Sequence, residues 1–95
     1  MKTVQLKEEV TIVKETNLRG IHNCNVKVSS NACLIVNGIL NGNIIIEENA
    51  EVIVWGMING DIINKGLCRI VGSIKGLLIE NGGQFEIDIN ATIKN

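Results

Sequence analysis

Val36-Asn-Gly-Ile-Leu-Asn-Gly-Asn-Ile44 and Val54-Trp-Gly-Met-Ile-Asn-Gly-Asp-Ile62 are one pattern written twice, 18 residues apart. Carried back to Leu18, the same offset aligns Gly20, Gly38 and Gly56; Asn23, Asn41 and Asn59; Ile21, Ile39 and Met57; and Val26, Ile44 and Ile62. Asn31-Ala32 and Asn49-Ala50 close the unit. A short fixed period marks a stacked-repeat architecture, in which each unit leaves an apolar face that only its neighbours can cover. Toward the C-terminus the period shortens. Gly56, Ile58 and Gly60 return as Gly72, Ile74 and Gly76 at an offset of 16, and Ile70, Gly72 and Ile74 map onto Ile87, Ile89 and Ala91 at 17. Such length changes belong at corners, because inside a strand they would disturb the inward and outward alternation.

Within a unit the apolar period is 2. Ala50, Val52, Val54, Gly56, Ile58, Gly60 and Ile62 alternate with Glu51, Ile53, Trp55, Met57, Asn59 and Asp61, which specifies strand rather than helix. β-Branched residues dominate the apolar set, and Gly, Asn and Asp gather where turns are needed. Three strands of about five residues use up one repeat. The expected fold is therefore all-β: a single-domain, three-sided parallel β-helix of about five coils, each 16–18 residues long. Residues 18–95 hold the repeats and residues 1–17 form an N-terminal strand or cap segment. Identical columns become ladders, so Gly20, Gly38, Gly56 and Gly72, and Gly42, Gly60 and Gly76, are read as structural. The Asn23, Asn41, Asn59 column can stack its amides from coil to coil. Asn and Gly also tolerate the positive φ of sharp corners.

Composition narrows the function classes. The absence of proline suits an unbroken ladder. A formal net charge of −1, no basic cluster, and only Trp55 and Phe85 as aromatics argue against a nucleic-acid surface. The opening decapeptide MKTVQLKEEV is charged and has no signal-peptide core, and no apolar stretch is long enough for a transmembrane helix. Cys24, Cys33 and Cys68 are odd in number and lack CxxC spacing, as expected of reduced thiols in a cytoplasmic protein.

Candidate chemistry is sparse, and no catalytic, cofactor or metal residue is expected. His22, the only histidine, shares a column with Leu40 and Ile58 and reads as a packed, hydrogen-bonded imidazole. Cys24 lies on the same strand face, but no third group is placed to orient a dyad. Cys24 otherwise fills the Gly42 and Gly60 column as a small residue. Glu47, Glu48 and Glu51 read as a solvated corner. The glycines around Gly38–Gly42 and Gly56–Gly60 precede no helix that could bind an anion. Stepping by six from Leu40 through Ile46, Val52, Ile58, Asn64 and Ile70 imitates a hexapeptide acyltransferase, yet in a period-2 chain any even step meets apolar residues. The spacing leaves handedness open, and an acyltransferase ranks third among the functions considered.

Val36–Ile44, Val54–Ile62 and Gly72-Ser-Ile-Lys-Gly76 together resemble the once-per-coil signature of the bactofilins, polymer-forming cytoskeletal proteins of bacteria, over roughly Leu18 to Ile93. The resemblance implies a right-handed triangular β-helix that joins end to end into nucleotide-independent filaments, often at a membrane. The family's proline-rich flanks and apolar N-terminal peptide have no counterpart in this sequence, so membrane association is not expected. Val52-Ile-Val-Trp-Gly-Met-Ile-Asn-Gly60 is also similar to the C-terminal β-helical domain of the septum-site inhibitor MinC. That likeness implies a dimer and a recruiting partner, without the family's preceding domain or its arginine-containing opening segment.

Self-association is expected on physical grounds as well, because a solenoid ends in unpaired strands that template another chain unless something covers them. The run to Ile93-Lys94-Asn95 offers no cap, whereas Lys7, Glu8, Glu9, Lys14 and Glu15 suit a charged lid at the other end. Pairing of two C-terminal ends and an open head-to-tail filament are both consistent with this. Outward positions add candidate contacts: Ile21, Ile39 and Met57 in one column, Ile35 and Ile53 in another, and Ile45 and Ile63 in a third with Trp55 nearby. Ile89 and Ile93 are candidates at the C-terminal end. The leading expectation is a non-enzymatic structural protein whose partner is itself. The alternative is a dimeric, possibly phage-encoded module that grips one protein partner.

Overall fold

The computed structural model describes residues 8–94, and every regular element in it is a β-strand. The strands form three five-stranded sheets. The first contains β1 (Glu9–Ile12), β4 (Asn25–Val28), β7 (Ile44–Ile46), β10 (Ile62–Asn64) and β13 (Leu78–Glu80), hydrogen-bonded in that order. The second runs β2 (Thr16–Leu18), β5 (Cys33–Val36), β8 (Glu51–Val54), β11 (Leu67–Ile70) and β14 (Gln84–Ile87). The third runs β3 (Ile21–His22), β6 (Ile39–Leu40), β9 (Met57–Asn59), β12 (Ser73–Lys75) and β15 (Thr92–Lys94). Each strand pairs in parallel with its equivalents in the coils above and below, so the chain is a three-sided β-solenoid of five coils.

Alternation carries through the corners. Ala50, Val52, Val54, Ile58 and Ile62 are buried, while Glu51, Ile53, Trp55, Met57, Asn59 and Asp61 between them face outward. Leu34, Leu40, Ile44, Ile46, Ile58, Ile62, Ile70 and Ile74 are fully buried in one continuous core. Each such side chain contributes about 1.5–3 kcal/mol by leaving water. Asn64 is the buried polar residue in that core, and its amide is satisfied: Nδ2 donates to the Gln84 carbonyl and Oδ1 accepts from Gly66 N, at 2.8 and 2.9 Å.

The corners hold the length changes. Glu47–Ala50 separates β7 from β8, but only Lys65 and Gly66 separate β10 from β11, which gives the offset of 16 between β8 and β11. The four-residue corner is a turn closed by Ala50 N donating to Glu47 O, with Asn49 at φ 65°; Ala32 N to Ser29 O, with Asn31 at φ 70°, repeats it one coil earlier. In the last coil a turn closed by the same bond forms at a different corner, where Ala91 N donates to Asp88 O at 3.0 Å, without the positive φ of Asn31 and Asn49. Ile74 is therefore in register with Ile93, and Gly72 and Ile74 do not map onto Ile89 and Ala91. Ile70 with Ile87 does hold.

The first coil begins before Leu18. Asn25 N donates to the Glu8 carbonyl, Glu9 pairs with Asn25 and Ile12 with Val28, so Glu8, Glu9, Lys14 and Glu15 belong to a regular coil rather than to a lid laid across the end. Lys7, also assigned to that lid, lies outside the described residues.

Candidate functional site

Two side-chain ladders tie the third side and its corner together. Asn41 Nδ2 donates to Asn23 Oδ1 at 2.8 Å, and Asn59 Nδ2 donates to Asn41 Oδ1 at 2.6 Å, as the spacing predicts. The column then enters exposed Lys75, and Asn59 Oδ1 is left buried without a partner. The second ladder is Asn25, Asn43 and Asp61. Each side-chain oxygen accepts the backbone N–H of Asn43, Asp61 and Leu77 in turn, all at 2.9 Å. Sequence reasoning missed this ladder, although two of its steps fall at the period of 18. Both ladders lock coil to coil at about 1 kcal/mol per bond.

The ladder glycines serve close approach more than turn geometry. A Cβ on Gly56 would lie 2.0 Å from the Gly38 carbonyl oxygen, and one on Gly60 would lie 2.1 Å from that of Gly42. Gly38, Gly56 and Gly72 in one column and Gly42, Gly60 and Gly76 in the other are thus stacked on the preceding coil's backbone with no room for a side chain, whereas Gly20, at the head of its column, meets nothing within 4 Å and is required instead by its φ of 83°.

His22 sits at an inward position in register with Leu40, and its Nε2 lies 2.7 Å from the Arg19 carbonyl, the hydrogen-bonded imidazole expected. With Cys24 it lines an apolar hollow of about 410 Å³ at the N-terminal end, alongside Val10, Ile12, Leu18 and Val26. Cys68 is buried, and burial pushes its thiol up from 9.0 to about 12; Cys33 is raised too, by burial and then by Glu51 and Glu15. Ionisation, and with it nucleophilicity, is suppressed at both. Glu47 faces Lys27 and Lys65, each at 3.9 Å, so the acidic corner is solvated and neutralised.

Apolar outward residues divide into two patches. Ile35 and Ile53 belong to the second sheet and Ile21, Ile39 and Met57 to the third, and Trp55 stands at the corner joining them, 57% exposed. These six residues form one patch wrapped around an edge. Ile45 and Ile63 lie on the first sheet, extended by Ile79, and are separated from Trp55 by that geometry. Trp55, between β8 and β9, therefore does not neighbour Ile45 and Ile63, contrary to the sequence expectation.

Among the described residues, the last rung at the C-terminal end is open. Leu78, Phe85, Ile87 and Ile93 stand in register with inward Ile62, Cys68, Ile70 and Ile74, but no further coil covers them among the described residues, and Ile87 is 50% exposed. Ile93 points into this rung. Ile89 instead occupies the tip of the relocated turn and is 96% exposed. Comparison with protein-family models, curated proteins and solved structures finds no match for the chain.

Proposed function

We propose that this protein is a structural, non-enzymatic self-assembling solenoid whose end rungs join copy to copy into a filament or scaffold. The observation that supports the reading is the rung of Leu78, Phe85, Ile87 and Ile93, where, among the described residues, β13, β14 and β15 are the outermost strands of their sheets around an apolar floor. Free edges over an apolar face are templates for another chain. Half-exposed Ile87 is the residue to change. Ile87→Asp places a charge on the floor while leaving the four coils below intact. Light scattering and negative-stain microscopy are expected to show assemblies for the unaltered chain and monomers for the variant. Unchanged assembly by Ile87→Asp overturns the end contact.

A second reading has its own support in the Trp55 corner. Exposed tryptophan flanked by Ile53 and Met57 is a composition favoured at interface centres, and it suits a discrete module that grips one protein. A sharp dimer that survives Ile87→Asp but dissociates on Trp55→Ala favours this alternative.

A further inference from the structure

Building on the self-assembly reading, we infer that copies stack with one polarity, the N-terminal rung of one on the C-terminal rung of the next. Among the described residues each sheet is parallel throughout and ends on one strand of the first coil and one of the last: β1 and β13, β2 and β14, β3 and β15. A copy translated along the axis therefore brings matching edges together in the same direction, and the parallel ladders continue unbroken. Corner lengths agree on one edge, with residues 13–15 in the first coil and 81–83 in the last.

The columns say which side chains meet. Val10 heads the column of Val26, Ile44, Ile62 and Leu78, so Val10 of the incoming copy lies over Leu78. By the same tracing Leu18 lies over Ile87 and His22 over Ile93. Thr16, the smallest of the incoming set, meets Phe85, the largest of the receiving set. The hollow of about 410 Å³ at the N-terminal end gives these larger residues room. Arg19 follows Leu18 and Asp88 follows Ile87, which places opposite charges at the same corner outside the apolar rung, where Asp88 Oδ1 also accepts from Asn90 N at 2.8 Å in a corner two residues longer than that of Arg19 and Gly20.

One position opposes the contact in an informative way. Glu80 continues the inward column of Ile12, Val28, Ile46 and Asn64, an inward-pointing charge of the kind that blunts sheet edges. Polar stacking sets one Glu80 against Ile12. A two-fold pairing of C-terminal ends would bring two such carboxylates into a single rung and would force antiparallel edges.

Complementation of half-blocked variants tests the polarity. Val10→Asp blocks one end and Ile87→Asp the other, both at partly exposed end positions, with circular dichroism confirming the fold. Polar stacking predicts that each variant alone is monomeric and that their mixture forms a 1:1 heterodimer and nothing longer. A charge exchange supplies an independent readout: Arg19→Asp and Asp88→Arg each weaken association, and the double variant restores it. Dimers of Val10→Asp alone, or no rescue by the exchange, overturn the inference and leave self-assembly standing. A monomeric unaltered chain overturns both.

Discussion

Gly56→Ala probes the stacking of coils directly. The new Cβ would sit 2.0 Å from the Gly38 carbonyl oxygen and 3.0 Å from its carbon. Ordinary carbon–oxygen contact needs about 3.4 Å, so about 1.4 Å must be found by opening a coil spacing of about 4.8 Å. That oxygen accepts from Met57 N at 3.0 Å, and Gly56 N itself donates to Val36 O at 3.0 Å. Losing both ladder bonds costs about 2 kcal/mol, and residual strain adds about 1 kcal/mol or more. A loss of about 3 kcal/mol lowers Tm by about 12–24 °C for a chain of this size. Thermal unfolding followed by circular dichroism reads this out, at one fixed chain concentration because association couples to Tm. Gly82→Ala is the control: a Cβ there meets nothing within 4 Å, and only the φ of 90° resists, at about 1–2 kcal/mol. Should Gly56→Ala melt no lower than Gly82→Ala, the close stacking of glycine backbones is wrong.

Asn41→Ala removes two amide bonds and Asn23→Ala only one, so urea unfolding should show a loss of about 2 kcal/mol for the first and about half that for the second. Cys68 carries a pH effect of definite sign. Its folded pKa of about 12 stands above the unfolded 9.0, so the folded state holds the proton longer, and stability is full below pH 9 and falls as the pH rises toward 12. The loss is about 1.4 kcal/mol by pH 10, and Cys68→Val should abolish that share of the alkaline decline in denaturant titrations. The same burial should leave Cys68 unlabelled by iodoacetamide at pH 8 in the folded protein while half-buried Cys33 reacts slowly, and urea should release it. Trp55→Ala should change unfolding free energy by less than about 0.5 kcal/mol, since the indole is exposed; a larger loss would mean that the corner is part of the core.

The repeat exposed the fold because stacking demands that equivalent residues recur, and the inward set from Ala50 to Ile62 was readable from a period of 2 alone. The relocated turn escaped for the same reason. A corner gains two residues without changing which side chains face inward, so alternation is blind to it; the Asn90-Ala91 pair, echoing Asn31-Ala32 and Asn49-Ala50, was the available signal. The Asn25, Asn43, Asp61 ladder was hidden by its change of residue type, since only a side-chain oxygen is required and Asn and Asp supply it equally. Trp55 was grouped with the wrong isoleucines because period places residues in columns but does not say which columns share a corner.

Sedimentation velocity of the untagged chain over a hundredfold range of concentration tests the end-rung account most directly. The account predicts a sedimentation coefficient that climbs with concentration and collapses to that of a monomer in Ile87→Asp. A single monomeric species at every concentration contradicts it.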